Sequence, residues 1–181
     1  MRRNEAVGKV KRWAGKIEKA ILMAIIMVFS LSLACFAQDL SVPSHVNSPQ
    51  ALAKWLTSDF RYVLTLDSRG TKTQAPQETI QLKTGQCGDF AVLASHVLSG
   101  LGITNKVIII KYRGLSIMHA ICIWKNEDGT YSFISNQELN CTGKKSLDEA
   151  VRKFYPDCER MFTQRPNGAL VALSNEGGEN V

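Results

Sequence analysis

Residues 85–102 read GQCGDFAVLASHVLSGLG, and this stretch decides the architecture. Phe90, Ala91, Ala94, Val97, Leu98 and Leu101 fall on one face of a helix that starts at Cys87, and Gly100 and Gly102 mark its end. The small residues Ala91, Ala94 and Ser95 let a sheet approach closely, so the helix is expected at the centre of the molecule. Cys87 then sits at the helix N-terminus, where unpaired N–H groups and the helix dipole favour a thiolate. Gly85 permits the tight turn before it. Taken alone, a cysteine in this position reads as a buried structural residue that opens a core helix.

The segments on either side complete the architecture. Val107 to Tyr112 is β-branched and apolar on both faces, as a central strand requires. Ile117 to Trp124 reads as a second strand, and Asn126-Glu-Asp-Gly129 as a hairpin turn into a third, Tyr131 to Ser135. Upstream, Ser48-Pro49 supplies an N-cap and first helical position for a segment in which Leu52, Trp55, Leu56 and Phe60 recur at helical spacing. Tyr62 to Leu66 is extended, Asp67 to Pro76 is a loop, and a brief helical turn starts at Pro76. Ser146-Leu-Asp-Glu149 has the spacing of a capping box for a last helix reaching about Tyr155, where Pro156 stops it. The tail from Ser174 is polar and rich in Gly. Helices followed by an antiparallel meander indicate an α+β fold, with the Cys87 helix packed on the sheet.

His119 changes the reading of Cys87. It is the one histidine within an apolar strand, flanked by Ile117, Met118, Ala120 and Ile121, and an unpaired ring buried there would cost on the order of 1–3 kcal/mol. Either it is a satisfied core histidine or it faces a polar site, and a thiol beside an imidazole is the commonest activated pair of that kind. Antiparallel pairing brings Ser135 and Asn136, at the end of the next strand, beside His119. Asn136 can then orient the ring, its amide oxygen accepting from one ring nitrogen while the other faces sulfur. A metal site built on His119-Ala-Ile-Cys122 is disfavoured, because residues three apart on a strand point to opposite faces.

Gly85-Gln86-Cys87-Gly88-Asp89-Phe90-Ala91 resembles the nucleophile motif of the transglutaminase-like superfamily, and His119-Ala120 resembles its histidine motif. Asn136, seventeen residues after His119, stands where that family usually has Asp. Tyr62, Ala75-Pro76 and Glu78-Thr79-Ile80 resemble the lead-in of the bacterial transglutaminase-like cysteine proteinases, and the resemblance spans roughly Ser48 to Asn140. It implies a papain-like, transglutaminase-like α+β core and a Cys87, His119, Asn136 triad. Cys87 would attack an amide carbonyl of a peptide or protein and pass through a thioester to water or an amine. The oxyanion would be held by the Cys87 backbone N–H and a second donor, for which Gln81 and Gln86 are the candidates. No cofactor and no metal is implied. A neutral Asn136 cannot stabilise an imidazolium by charge as an aspartate does, and the superfamily also has members that have lost catalysis and act as binding or interaction modules.

The 181 residues suffice for one domain of ordinary size after a leader. Seven Lys or Arg precede an uncharged run from Ala20 to Gln38, the pattern of a secretory signal. Residues 1–37 are therefore expected to be a signal peptide cut after Ala37 or a retained N-terminal membrane anchor, with 38–181 the transglutaminase-like domain. Lipidation at Cys35 is disfavoured by Ser32, which stands where such a signal normally has Leu. The leader holds seven basic residues against Glu5 and Glu18, and the remainder fifteen basic against fourteen acidic. The overall charge of +6 thus belongs to targeting and offers no footprint for nucleic acid. The expected place is the periplasm or the outside of the cell, membrane-anchored if the leader is retained. Of the later cysteines, Cys122 lies in an apolar run and reads as a small core residue, while Cys141 and Cys158 form the candidate disulfide of an exported protein.

Overall fold

The computed structural model describes residues 41–64, 73–164 and 170–173. The leader, most of the segment from Asp67 to Pro76 and the tail from Ser174 lie outside these residues. Among them are four helices, α1 (Pro49–Asp59), α2 (Pro76–Leu82), α3 (Cys87–Gly100) and α4 (Leu147–Phe154). The strands are β1 (Arg61–Tyr62), β2 (Thr84–Gly85), β3 (Asn105–Tyr112), β4 (Met118–Lys125), β5 (Tyr131–Ser135), β6 (Glu138–Cys141), β7 (Cys158–Gln164) and β8 (Leu170–Ala172). No described helix is long and apolar enough to cross a membrane.

Six strands make one antiparallel sheet in the order β6-β5-β4-β3-β7-β8, while β1 and β2 form a two-residue parallel pair just before α3. As its apolar run requires, β3 lies inside the sheet, between β4 and β7. Strand alternation divides the core in two. On one face Cys122, Trp124 and Ile134 pack against Leu52, Trp55 and Leu56 of α1 and Phe90, Leu93, Ala94, Val97 and Leu98 of α3. On the other, Ile108, Ile110, Ile121, Ile123 and Phe133 pack with Met161 of β7 and Val151 of α4. The result is an α+β molecule with the Cys87 helix laid on an antiparallel sheet.

Helix α3 is closed at both ends. At its C-terminus Gly102, with φ of 75°, donates to Ser99 O and Ile103 donates to Leu98 O, a Schellman pair that satisfies two terminal carbonyls. At its start the buried carboxylate of Asp89 accepts from Gln86 N at 2.8 Å and, through its other oxygen, from Gln74 N at 2.7 Å. One side chain thereby fixes both the first turn of α3 and the strand of chain that passes beside it. Gly85 is required by closeness, since a Cβ there would stand 2.9 Å from the Asp89 Cβ. A second tie joins α1 to the turn after β5, where Gln137 Nε2 donates to Leu56 O and, at 2.8 Å, to Phe60 O. That grip holds Asn136 in the left-handed region, at φ of 53°.

Three expectations are corrected. The Cys141–Cys158 disulfide is absent, and both thiols are free. They lie on β6 and β7, four places apart in the sheet and hence roughly 19 Å at about 4.8 Å per strand, whereas a disulfide needs Cα atoms about 4.4–6.8 Å apart. Ser146 is the N-cap of α4, but its side chain makes no capping bond, and Asp148 instead takes Arg152 Nε at 2.7 Å. The sheet is also wider than a three-strand meander, because β6, β7 and β8 extend it at both edges.

Replacing Asp89 by Asn should cost about 1.5–3 kcal/mol, the loss expected when hydrogen bonds to a charged acceptor are weakened and an amide donor is turned toward backbone N–H groups. Urea denaturation of the two proteins measures it, and an unchanged midpoint would mean that Asp89 does not hold the start of α3.

Candidate active site

Cys87 is the first residue of α3 and is half-buried. The first N–H groups of a helix have no helical carbonyl to receive them, so the sulfur sits where backbone donors and the positive end of the helix dipole are available. Its charge bears on three tyrosines. The phenol of Tyr62, stacked on Phe90 with ring centroids 6.5 Å apart, is pushed up by burial and then by the negative charge of Cys87. Burial and then Cys87 act the same way on Tyr112, at the end of β3. Burial likewise dominates the upward shift of Tyr155, to which Cys87 also contributes.

His119 is the second residue of β4, paired with Ile110 of β3. It is half-buried, and burial lowers its pKa below the usual histidine value, so the neutral ring prevails near neutral pH. Its Nε2 lies 2.9 Å from Ser135 Oγ, at the end of β5. Ser135 in turn accepts a hydrogen bond from the Tyr155 hydroxyl at 2.9 Å, and the Tyr155 ring lies against His119 with centroids 5.5 Å apart. The register explains the meeting, since β5 pairs Ser135 with Ile121, two residues along β4 from His119 and so on its side of the sheet.

Alternation places His119 on the face of Ile121 and Ile123, the face opposite α3. Cys122, three residues on, is buried under α3, so the pair cannot share a metal. His119 lies at the rim, beside the end of β3 where Tyr112 stands, and Tyr112 and Tyr155 both feel the charge of Cys87. Cys87 opens α3 on the other face, so a meeting of thiol and imidazole would have to run around this rim. The hydrogen bonds join His119, Ser135 and Tyr155.

The sequence reading gave one ring nitrogen of His119 to Asn136, whereas Nε2 is bonded to Ser135. The Asn136 Oδ1 is buried and has no hydrogen-bond partner among the described residues. Gln86 is the N-cap of α3 and forms a capping box with Asp89. Gln81 is exposed on α2. Sequence reasoning placed Ser135 beside His119 without giving it a role, and read Tyr155 only as the end of the last helix. Among the described residues no three His, Cys, Asp or Glu side chains are grouped to hold a metal ion.

No curated protein sequence matches this chain. Among solved structures, the calcium-bound form of LapG from Legionella pneumophila is 17% identical over 71% of this chain and 70% of its own, with a TM-score of 0.49. The EGTA-treated form is 14% identical over 67% of this chain and 69% of its own, with a TM-score of 0.40. The family described as a transglutaminase-like domain matches residues 32–149, which include Cys87, His119, Ser135 and Asn136. That match covers more than half of the sequence, and the chain belongs to the transglutaminase-like domain family.

Proposed function

We propose that the protein is an exported thiol-dependent amide hydrolase or acyltransferase of the cysteine-peptidase kind, acting on a peptide or protein amide. The observation that carries this reading is the hydrogen-bonded setting of His119 in a chain of the transglutaminase-like domain family whose Cys87 opens α3. Ser135 ties that ring to Tyr155, which packs on it and whose phenol is pushed up by burial and, to a lesser degree, by the charge of Cys87. Export is supported by the basic leader and the uncharged run that follows it.

In this reading Cys87 sulfur attacks the amide carbonyl carbon while its proton passes to Nδ1 of His119, the nitrogen left open by Ser135. A lowered histidine pKa suits that role, because the ring is neutral and able to accept at neutral pH. Backbone N–H groups at the start of α3, with the side-chain amide of Gln86 or Gln81, receive the oxyanion. Collapse breaks the C–N bond, the departing amine takes the proton from His119, and a thioester remains on Cys87. Water or an amine then attacks the thioester, gives its proton to His119 and restores the thiol. Asn136 is the third member carried by the family pattern, and its buried Oδ1 supplies an acceptor close to the end of β5.

Alkylation with iodoacetamide near neutral pH, followed by mass spectrometry, tests the pair. Cys87 should be labelled well ahead of the exposed Cys141, and His119→Asn should slow Cys87 by about a hundredfold, the low end of general-base contributions. Labelling of Cys87 no faster than Cys141, or indifferent to His119→Asn, contradicts the reading.

The lowered pKa of His119 also makes a prediction about stability. On acidification the unfolded chain takes up the histidine proton first, at about pH 6.5, so the native state loses stability from there down to the depressed native value. Melting temperatures between pH 7.5 and 5 should therefore fall more steeply for the natural protein than for His119→Gln. Parallel curves would show that the ring is not buried in its neutral form.

A further inference from the structure

Tyr155 lies beyond residues 32–149 and is thus outside the part of the chain that matches the family. Its ring is wedged among His119, Phe133 and Tyr112, with centroids 5.5, 5.9 and 6.4 Å away. The hydroxyl emerges from this packing toward Ser135 Oγ, which stands 2.9 Å from Nε2 of His119. A serine hydroxyl can donate one hydrogen bond and accept two. With one lone pair taken by Tyr155, Ser135 keeps a second for Nε2–H, which is protonated both in the neutral ring that leaves Nδ1 bare and in the imidazolium. Ring orientation is therefore preserved while His119 gains and loses a proton.

We infer that Ser135, held in place by Tyr155, is the positioning residue of His119: it accepts a hydrogen bond from Nε2–H and so fixes the ring with Nδ1 open toward the thiol, both before and after Nδ1 takes the proton. This rests on the reading of Cys87 and His119 as the reacting pair. Burial raises the phenol pKa of Tyr155, which keeps its hydroxyl a donor across the neutral range. The ionisable groups whose charge reaches Tyr155 are Tyr112 from β3, Glu138 from β6 and Cys87 from α3. The mechanical support is independent of these charges. Ser135 ends β5, and the following turn is held to α1 by Gln137.

The test combines Cys87 alkylation rates with the NMR titration of the His119 ring in three variants. Ser135→Ala should slow alkylation about ten- to a hundredfold, the factor that corresponds to removing one hydrogen bond to a charged partner. It should also lower the His119 titration midpoint further, because the imidazolium loses its acceptor. Ser135→Thr, which keeps the hydroxyl on a strand residue, should restore both. Tyr155→Phe keeps the ring and removes only the donor, so it should give a smaller loss in rate with the melting temperature little changed. If Ser135→Ala leaves the His119 midpoint and the alkylation rate at natural values, the inference is overturned; the same follows if Ser135→Thr behaves like Ser135→Ala although folded. His119→Asn in parallel separates the two ideas. If it slows Cys87 while Ser135→Ala does not, only the positioning role fails, whereas if neither has an effect, the pairing of thiol and imidazole fails with it.

Discussion

The two hydrogen bonds accepted by the buried Asp89 carboxylate are the constraint on which the rest of the site depends. A thiol at the first position of a helix is useful only if that first turn is held still, and helix ends fray when their N–H groups are unanswered. Asp89 answers the Gln86 N–H from within the helix and the Gln74 N–H from outside it. Both bonds run from backbone N–H groups to a carboxylate, the charge-assisted kind that is stronger than a neutral pair. The space for this clamp comes from Gly85, where any side chain would press on Asp89 itself. In the motif GQCGD the glycine and the aspartate thus serve one purpose, to aim the cysteine.

A second constraint comes from the sheet. Two packed faces require strict alternation along β4, which sends Cys122 and Trp124 under α3 and His119 to the other side. His119 can meet a residue of α3 only at the rim, at the beginning of β4 and the end of β3, where Tyr112 and Tyr155 pack edge to face and Tyr155 lies against His119. The aromatic setting follows from the geometry. A gap between a helix end and a sheet edge has no regular backbone to fill it, and large planar side chains with a polar tip close it while still offering hydroxyl groups.

The regular parts of this fold were legible in the sequence. The 3.6-residue period of α1 and α3, the β-branched runs of β3 and β4 and the Asn126–Gly129 turn each depend on local pattern, and local pattern is what a single sequence displays. What stayed hidden depends on register and on long-range partners. β7 pairs with β3 through an irregularity between Lys111 and Tyr112, which breaks the alternation by which a strand is recognised. The choice between Ser135 and Asn136 turns on a single residue, and the left-handed backbone of Asn136 is set by the grip of Gln137 on α1 seventy-seven and more positions away in the chain. Cys141 and Cys158 looked alike in polarity, but their strands stand near opposite edges of the sheet. Tyr155 carried no signal beyond its place at the end of a helix.

The account comes down to the approach of one sulfur to one ring nitrogen at the sheet rim. A crystal structure of the protein with Cys87 alkylated by a peptide-derived chloromethyl ketone would fix both atoms in a state that imitates the acylated thiol. The Cys87 sulfur and Nδ1 of His119 should then lie within roughly 4 Å, with Nε2 still on Ser135. A structure in which the ring turns Nε2 toward sulfur, or in which the sheet stands between the two side chains, would contradict it.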